Sequence, residues 1–320
     1  MNILLLSVGT RNKIVQYFKN ECKGKGNVIA TDCSKLAPAL YEADKHYIVP
    51  EITTNGYVDR ILNICEKEEI GGVLSLIDPE ISIIAKAKNR FEEIGVKVIS
   101  PAYEVCERTL NKWEFYNWLS GHGYKCAKTY IEKDIFYDAV DSGDIHYPVF
   151  IKPILGSASI NITKAYDNEM VDLLFKNFKG LMIQEFMDGT ELGADVYVDL
   201  LSNQPISIFV KEKIKMRAGE TDKAVSLKDG VLFTLIQKFV CEMRLTGIID
   251  IDIFKVDGNY YISEVNPRFG GGYPHAYECG MNVPKLILNN LYGILNDEQI
   301  GRYDAGVYML KYNEMSILRN

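Results

Sequence analysis

The 320-residue sequence has seven cysteines but no Cys-x-x-Cys pair and no cysteine–histidine cluster of zinc spacing. Cys22, Cys33, Cys65, Cys106, Cys126, Cys241 and Cys279 are odd in number and scattered. That excludes a disulfide framework or a structural zinc as the organising element and predicts reduced thiols in a cytoplasmic protein. Histidine is scarce: His46, His122, His146 and His275 have no metal spacing, and of these only His275, beside a glycine-rich stretch, is placed to line a pocket. No apolar stretch approaches the roughly 18 residues of a membrane span. The apolar start Met1-Asn2-Ile3-Leu4-Leu5-Leu6 lacks a basic flank and runs straight into Thr10-Arg11-Asn12-Lys13, so it reads as a first strand rather than a signal segment. Basic residues are outnumbered, 36 Lys+Arg against 43 Asp+Glu, for a formal net charge of −7. This speaks against nucleic acid or an anionic membrane as partner.

What is present is an ordinary globular composition, 47% hydrophobic and 25% charged. A chain of this length exceeds the usual size of one core, so two or three domains are expected. The first hundred residues alternate β-rich runs (Ile3 to Val8, Val28 to Asp32, Gly72 to Ile77, Val96 to Ile99) with helical patterns (Arg11 to Cys22, Tyr57 to Glu66, Glu80 to Glu92). Strand and helix in turn predict a doubly wound parallel sheet. The turn Ser7-Val8-Gly9-Thr10-Arg11 holds a single glycine, so the dinucleotide fingerprint of three spaced glycines is missing and a nicotinamide or flavin enzyme is disfavoured. A helical stretch from Tyr103 to Gly121 follows Pro101, and a strand from Tyr147 to Pro153 leads into Gly156-Ser157-Ala158-Ser159. From Leu181 the pattern is mostly strands (Met182 to Phe186, Glu191 to Leu200, Ile206 to Lys213, Gly247 to Val256, Tyr260 to Val265), interrupted by a helix from Lys228 to Arg244.

The most informative stretch is Glu264-Val265-Asn266-Pro267-Arg268, followed by Phe269 and Gly270-Gly271-Gly272. A carboxylate and a carboxamide two residues apart on a strand share a face. Such oxygen ligands suit Mg²⁺, a guanidinium suits phosphate, and glycines let backbone approach an anion closely. Upstream, Ile249-Asp250-Ile251-Asp252-Ile253 alternates strictly, with the acids on one face and the isoleucines on the other. Whether these acids meet Glu264 depends on the turn Val256-Asp257-Gly258-Asn259. A two-residue loop turns Glu264 to the opposite side, whereas a three-residue loop bulged at Gly258 puts Asp250, Asp252, Glu264 and Asn266 on one face. Lys211, Lys213 and Arg217 belong either to a basic strand facing a substrate or to an exposed charged strand.

In order along the chain, these features resemble the ATP-grasp superfamily, in particular halves of the carbamoyl-phosphate synthase large subunit, over nearly the whole sequence. The resemblance implies Asp252, Glu264 and Asn266 as metal ligands and Arg268 as a phosphate contact. It implies Lys112 and Lys152 on phosphate and adenine, with Gly156, Ser157 and Ser159 in a lid loop over the phosphates. Gln184-Glu185-Phe186-Met187 is similar to the hinge that reads adenine, with Glu185 near the exocyclic amine and Glu191 on the ribose. Lys213 and Arg217 then face the acyl acceptor, and Arg268, Lys213 and Arg217 form the catalytic set. The implied cofactors are ATP and two Mg²⁺ ions, with Mn²⁺ an alternative metal.

The expected fold class is α/β and α+β: an N-terminal doubly wound parallel α/β domain (1–100), a linker helix with an ATP-grasp lid subdomain (101–180), and a C-terminal ATP-grasp subdomain with the metal site (181–320). The implied activity is an ATP-dependent carboxylate–amine or carboxylate–thiol ligase working through an acyl phosphate. It needs no protein nucleophile, which suits a chain without a serine–histidine–aspartate or cysteine–histidine arrangement. Carbamoyl-phosphate-synthase-like phosphorylation of bicarbonate or carbamate is the alternative chemistry, and a non-catalytic ATP-binding protein of the same fold the alternative class. Expected partners are a small-molecule carboxylate and an amine, with neither nucleic acid nor membrane; the resemblance also admits a homodimer.

Overall fold

The computed structural model describes residues 1–156 and 162–318. Strands β1 (Asn2–Leu6), β2 (Val28–Asp32), β3 (Lys45–Ile48), β4 (Ile70–Ser75) and β5 (Lys97–Val98) form a parallel sheet in the order β3-β2-β1-β4-β5. Ile3, Leu4, Leu5 and Leu6 are all fully buried, because helices cover both faces of this sheet. The strand order reverses beside β1, so the carboxyl ends of β1 and β4 flank the crevice where open α/β sheets present their loops. The edge strand β3 was not legible, since Lys45, His46 and Ile48 are exposed and carry no alternation.

The expected helix from Tyr103 to Gly121 is two helices, Tyr103–Leu110 and Lys112–Gly121. Asn111 divides them: its backbone is extended and its side chain accepts from Trp113 N and Glu114 N, each at 3.1 Å. This is the N-cap geometry that starts a new helix instead of prolonging the old one. A small sheet follows, made of β6 (Thr129–Tyr130), β7 (Val149–Pro153), β8 (Thr163–Ala165) and β9 (Leu181–Glu185) in the order β6-β9-β7-β8. Helices Lys133–Asp141 and Asn168–Asn177 pack on it around Phe136, Ile151 and Val171.

The large sheet contains β10 (Thr190–Val198), β11 (Pro205–Arg217), β12 (Glu220–Leu227), β13 (Gly247–Val256), β14 (Asn259–Asn266) and β15 (Tyr308–Leu310), ordered β14-β13-β10-β11-β12-β15. One face buries Leu192, Val196, Val210, Ile249, Ile251, Ile253 and Val265 against helix Gly230–Glu242. The alternate residues face the other way and form the site. A separate core joins Ile3, Leu5 and Phe18 of the N-terminal domain to Phe209, Phe269 and Tyr273, tying that domain to the glycine-rich tail of β14. Among the described residues no helix is long and apolar enough to cross a membrane.

The β13–β14 hairpin answers the register question in an unexpected way. The turn is the two-residue form, with Val256 opposite Asn259 and both Asp257 (φ 47°) and Gly258 (φ 77°) left-handed. Taken alone, that turn would send Glu264 to the wrong side. The ladder instead slips between Asp252 and Ile253: Ile253 faces Ile262, Asp252 faces Glu264 and Asp250 faces Asn266, leaving Ser263 as the extra residue of a bulge. The expected parity change is present, but Ser263 makes it rather than Gly258.

Candidate active site

On the open face of the large sheet, Asp252 and Glu264 lie directly across β13 and β14, with Asp250 and Asn266 one step along. Burial raises the pKa of Glu264 and Asp252 adds to the rise, while Lys112 and Lys152 oppose it. Lys152, on β7 of the small sheet, is near enough to feel both acids. Burial pushes its amine down to about 8, against the pull of Glu264 and Asp252 and with help from Lys112. A buried carboxylate and a buried amine each held away from their charged forms are groups waiting for a counter-charge.

Lys112 opens its helix and is stitched to the end of β7. Its backbone N–H donates to Ile154 O at 3.0 Å and its ammonium donates to the Gly156 carbonyl. Ser157 and Ser159 lie outside the described residues. Between Thr109–Leu110, Gly156 and Glu264–Asn266 remains a cavity of about 10 Å³, room for about one water.

The basic strand is not an exposed one at its inner end. Lys213 is buried and donates to Glu191 Oε1 at 2.9 Å and to Asp252 Oδ1 at 2.6 Å. Burial acts against its charge, but Asp252 and Glu191 outweigh it and raise the lysine pKa. Lys211, wholly buried, donates to Asp195 Oδ2 at 2.5 Å. Gly193 makes room for both: a Cβ there would come 3.1 Å from the Lys213 side chain and 3.2 Å from that of Lys211. Arg217, half exposed at the hairpin end, pairs with Asp222 at 2.9 Å. It borders an open cleft of about 440 Å³ lined also by Thr10, Ala218, Glu220 and Asn313. The structure therefore brings Lys213 to the candidate metal acids and leaves Arg217 in a neighbouring cleft.

Arg268 is mostly buried and donates Nε to Asp78 Oδ2 at 3.0 Å and Nη1 to the Phe269 carbonyl at 3.1 Å, with Asp250 Oδ2 3.5 Å away. Burial disfavours its charge, yet Asp78 and Asp250 raise its pKa above the usual value. Asp250 is pushed up to about 7, by burial first and then by Asp252. The three glycines pack on the protein's own charged side chains: a Cβ on Gly270 would meet the Asp250 carboxyl at 2.5 Å, one on Gly271 the Glu220 side chain at 2.9 Å, and one on Gly272 the Lys211 side chain at 2.9 Å. Sequence reasoning missed Asp78, Arg11 and Glu220. Arg11 approaches Glu220 at 3.3 Å and Lys311 does so at 2.8 Å, closing charge across the crevice at the end of β1. For Arg11 and Asp78 the signal was position, just past the carboxyl ends of β1 and β4; Glu220, which opens β12, had none.

At the expected hinge, Glu185 N donates to Lys128 O at 2.8 Å, and the Glu185 carboxylate accepts from Lys128 N at 3.0 Å. Phe186 packs on Phe150 with ring centres 5.5 Å apart, under the Lys164 ammonium at 3.6 Å. Met187 follows, partly exposed, and Glu191 is taken by Lys213. His275 is a packing residue: it is buried, its Nε2 is 3.0 Å from the Val307 carbonyl, and its ring meets Phe209 edge-on.

Among the described residues no group of three or more His, Cys, Asp or Glu side chains is gathered as a metal cage. The donor set is smaller and made of oxygen: two facing carboxylates, one raised in pKa by burial, and the Asn266 carboxamide. That set fits a hard divalent cation that keeps other ligands of its own, such as water and phosphate.

Two family models match: a PylC-like N-terminal domain over residues 3–99 and an ATP-grasp domain over residues 109–272. The arginine-specific carbamoyl phosphate synthase large chain of Bacillus subtilis is 22% identical over 77% of this chain, and a D-alanine–D-alanine ligase of Campylobacter concisus is 20% identical over 75% of it and 73% of its own length. The chain spans about a quarter of the length of the synthase large chains it matches, 24% in the Bacillus subtilis case. Among solved structures, the biotin carboxylase domain of Hydrogenobacter thermophilus 2-oxoglutarate carboxylase superposes with TM-score 0.75 at 16% identity, over 96% of this chain and 73% of that one. The Staphylococcus aureus N5-carboxyaminoimidazole synthetase complexed with ADP superposes with TM-score 0.74 at 14% identity, over 93% and 78%. With its ATP-grasp match covering half the sequence, the chain belongs to the ATP-grasp family.

Proposed function

We propose that this protein is an Mg²⁺- and ATP-dependent ligase that joins a carboxylate to an amine through an acyl phosphate. The observation that carries this reading is the Asp252–Glu264 pair, with Asn266 beside it, within the electrostatic reach of Lys152 on the small sheet and Lys112 on its helix. Acids and lysines so arranged make sense around a metal-bound polyphosphate, which supplies positive charge to the first and negative charge to the second. Asp252, Glu264 and Asn266 would hold the metal, two Mg²⁺ ions or Mn²⁺ in their place. When bound, it neutralises charge on the phosphates during transfer.

Lys112, Lys152 and Arg268 contact phosphate, and the Glu185–Met187 segment reads the adenine edge. Glu191 is assigned to the ribose, Lys213 and Arg217 to the acyl acceptor, and Gly156, Ser157 and Ser159 to the loop over the phosphates. The γ-phosphoryl group passes to an oxygen of the substrate carboxylate, and ADP leaves. The amine then attacks the acyl carbon and phosphate departs. No protein group need become covalently attached, so catalysis rests on positioning and charge.

The acceptor enters the cleft lined by Thr10, Arg217, Glu220 and Asn313. Its walls carry both signs, Arg217 against Glu220, which suits a molecule bearing both a carboxylate and an amine. The likeness to carbamoyl phosphate synthase favours bicarbonate or carbamate as a second reading. Cytoplasmic operation accords with seven scattered free thiols.

The test is a thermal shift with Mg·ATP, with EDTA added, and with Glu264→Ala, followed by ADP release across amino acids, amines and bicarbonate. At about 100 times its dissociation constant a ligand adds about 2.7 kcal/mol, a shift of several degrees. A magnesium-dependent shift absent from Glu264→Ala, with ADP release stimulated by an amino acid, is the expected result. Stimulation by bicarbonate alone selects the second reading, and nucleotide binding with no turnover on any acceptor overturns the ligase.

A further inference from the structure

We propose that Asp78 is a positioning residue for Arg268, through which the N-terminal domain aims the guanidinium at phosphate; this rests on the ATP-ligase reading. Of the three guanidinium nitrogens, Nε is held by Asp78 Oδ2 at 3.0 Å and Nη1 by the Phe269 carbonyl at 3.1 Å. Nη2 has no partner among the described residues. A guanidinium is planar, so fixing two nitrogens fixes the direction in which the third points.

The grip of Asp78 is one-handed. Its other oxygen, Oδ1, is buried without a hydrogen-bond partner, although a carboxylate can clasp arginine with both oxygens. A pair serving stability alone commonly closes the fork with both oxygens. Gripping Nε alone leaves the Nη2 edge open. Asp78 also borders the one-water cavity shared with Glu264 and Asn266, so the arrangement sits in the space the phosphates must occupy.

The support behind Asp78 is stiff. It opens helix Asp78–Lys86 with Pro79 at the first turn, and Ile77 N donates to Ser75 Oγ at 3.2 Å. Two residues on, the wholly buried Glu80 accepts from Ser75 and Tyr57, which pins the turn to the end of β4. A carboxylate held this way transmits the placement of the N-terminal domain to a group on the glycine-rich tail, 190 residues away in sequence.

Calorimetry with Mg·AMP-PNP and with Mg·ADP decides the matter for the wild-type chain, Asp78→Ala, Asp78→Asn, Arg268→Gln and the double variant D78A/R268Q. Asp78→Ala and Arg268→Gln should each weaken Mg·AMP-PNP about tenfold, the loss of one charged hydrogen bond, while leaving Mg·ADP unchanged. The double variant should be no weaker than either single one. Asp78→Asn, which keeps one acceptor, should lose less and in the same selective way, and it decides the question if Asp78→Ala does not fold. Wild-type affinity in Asp78→Asn, additive losses in the double variant, or equal losses for both nucleotides would overturn the positioning role. Failure of the wild-type chain to bind either nucleotide would overturn the ligase reading instead, a distinct outcome.

Discussion

Asp252 and Glu264 face each other across β13 and β14, but among the described residues only Asp252 is in an ion pair, with Lys213 at 2.6 Å. The two acids should therefore respond oppositely to neutralisation in the ligand-free protein. Burial raises the pKa of Glu264, so its ionised form costs stability at neutral pH, and Glu264→Gln removes that cost. Asp252→Asn takes a charge from the buried Lys213 and should destabilise by about 1 to 3 kcal/mol. Melting without nucleotide should rise for Glu264→Gln and fall for Asp252→Asn, while both lose the Mg·ATP shift. A fall for both would show that Glu264 is satisfied in the free protein.

Lys213 competes with the cation for Asp252. In Lys213→Met, Glu191 and Asp252 are left facing each other without a counter-charge, so the free protein should melt earlier. The same acids then offer a bound metal more, so the stabilisation by Mg²⁺ in a titration at fixed ATP should exceed that of the wild type. An unchanged magnesium response would remove Lys213 from the metal face.

The three glycines after Arg268 should not tolerate alanine equally. At Gly270 the added carbon meets the short, buried Asp250 side chain at 2.5 Å, whereas at Gly271 and Gly272 it meets the longer Glu220 and Lys211 side chains at 2.9 Å. Gly270→Ala and Gly272→Ala should each cost about 1 to 3 kcal/mol as overpacking, because Asp250 is short and the Lys211 ammonium is pinned to buried Asp195, and Gly271→Ala least because Glu220 is partly exposed. Denaturant unfolding of the three variants gives the ranking directly.

Much of the large sheet could be read in advance because Ile249 to Ile253 alternates and Glu264-Val265-Asn266 repeats the pattern. The bulge at Ser263 could not, since nothing local distinguishes an extra strand residue from a longer turn. Strand β12 was missed because its buried positions, Thr221, Asp222, Ala224 and Ser226, are polar or small and show no hydrophobic period. Lys211 and Lys213 read equally well as solvated, because their burial depends on Asp195, Glu191, Asp252 and the missing side chain of Gly193, all on other strands. The Asp78–Arg268 contact spans two domains and was equally beyond periodicity.

Lys152 supplies the pH dependence. Its amine titrates near 8 in the folded chain because burial disfavours the ammonium, against the model-peptide value of about 10.4 when unfolded. Between these values the unfolded chain holds the extra proton, so this group makes stability rise with pH from about 8 to about 10.4, and below 8 its full cost is present. Lys152→Met removes a cost at pH 7 and should raise the melting temperature of the free protein there, with the gain shrinking as the pH approaches 10. The same variant should bind Mg·ATP poorly, because the cost of keeping a buried ammonium is recovered only when phosphate arrives. Melting curves from pH 7 to 10, with and without Mg·ATP, read both effects. A free variant less stable than wild type at pH 7 would mean that Glu264 and Asp252 already hold the lysine charged, with no nucleotide needed to do so.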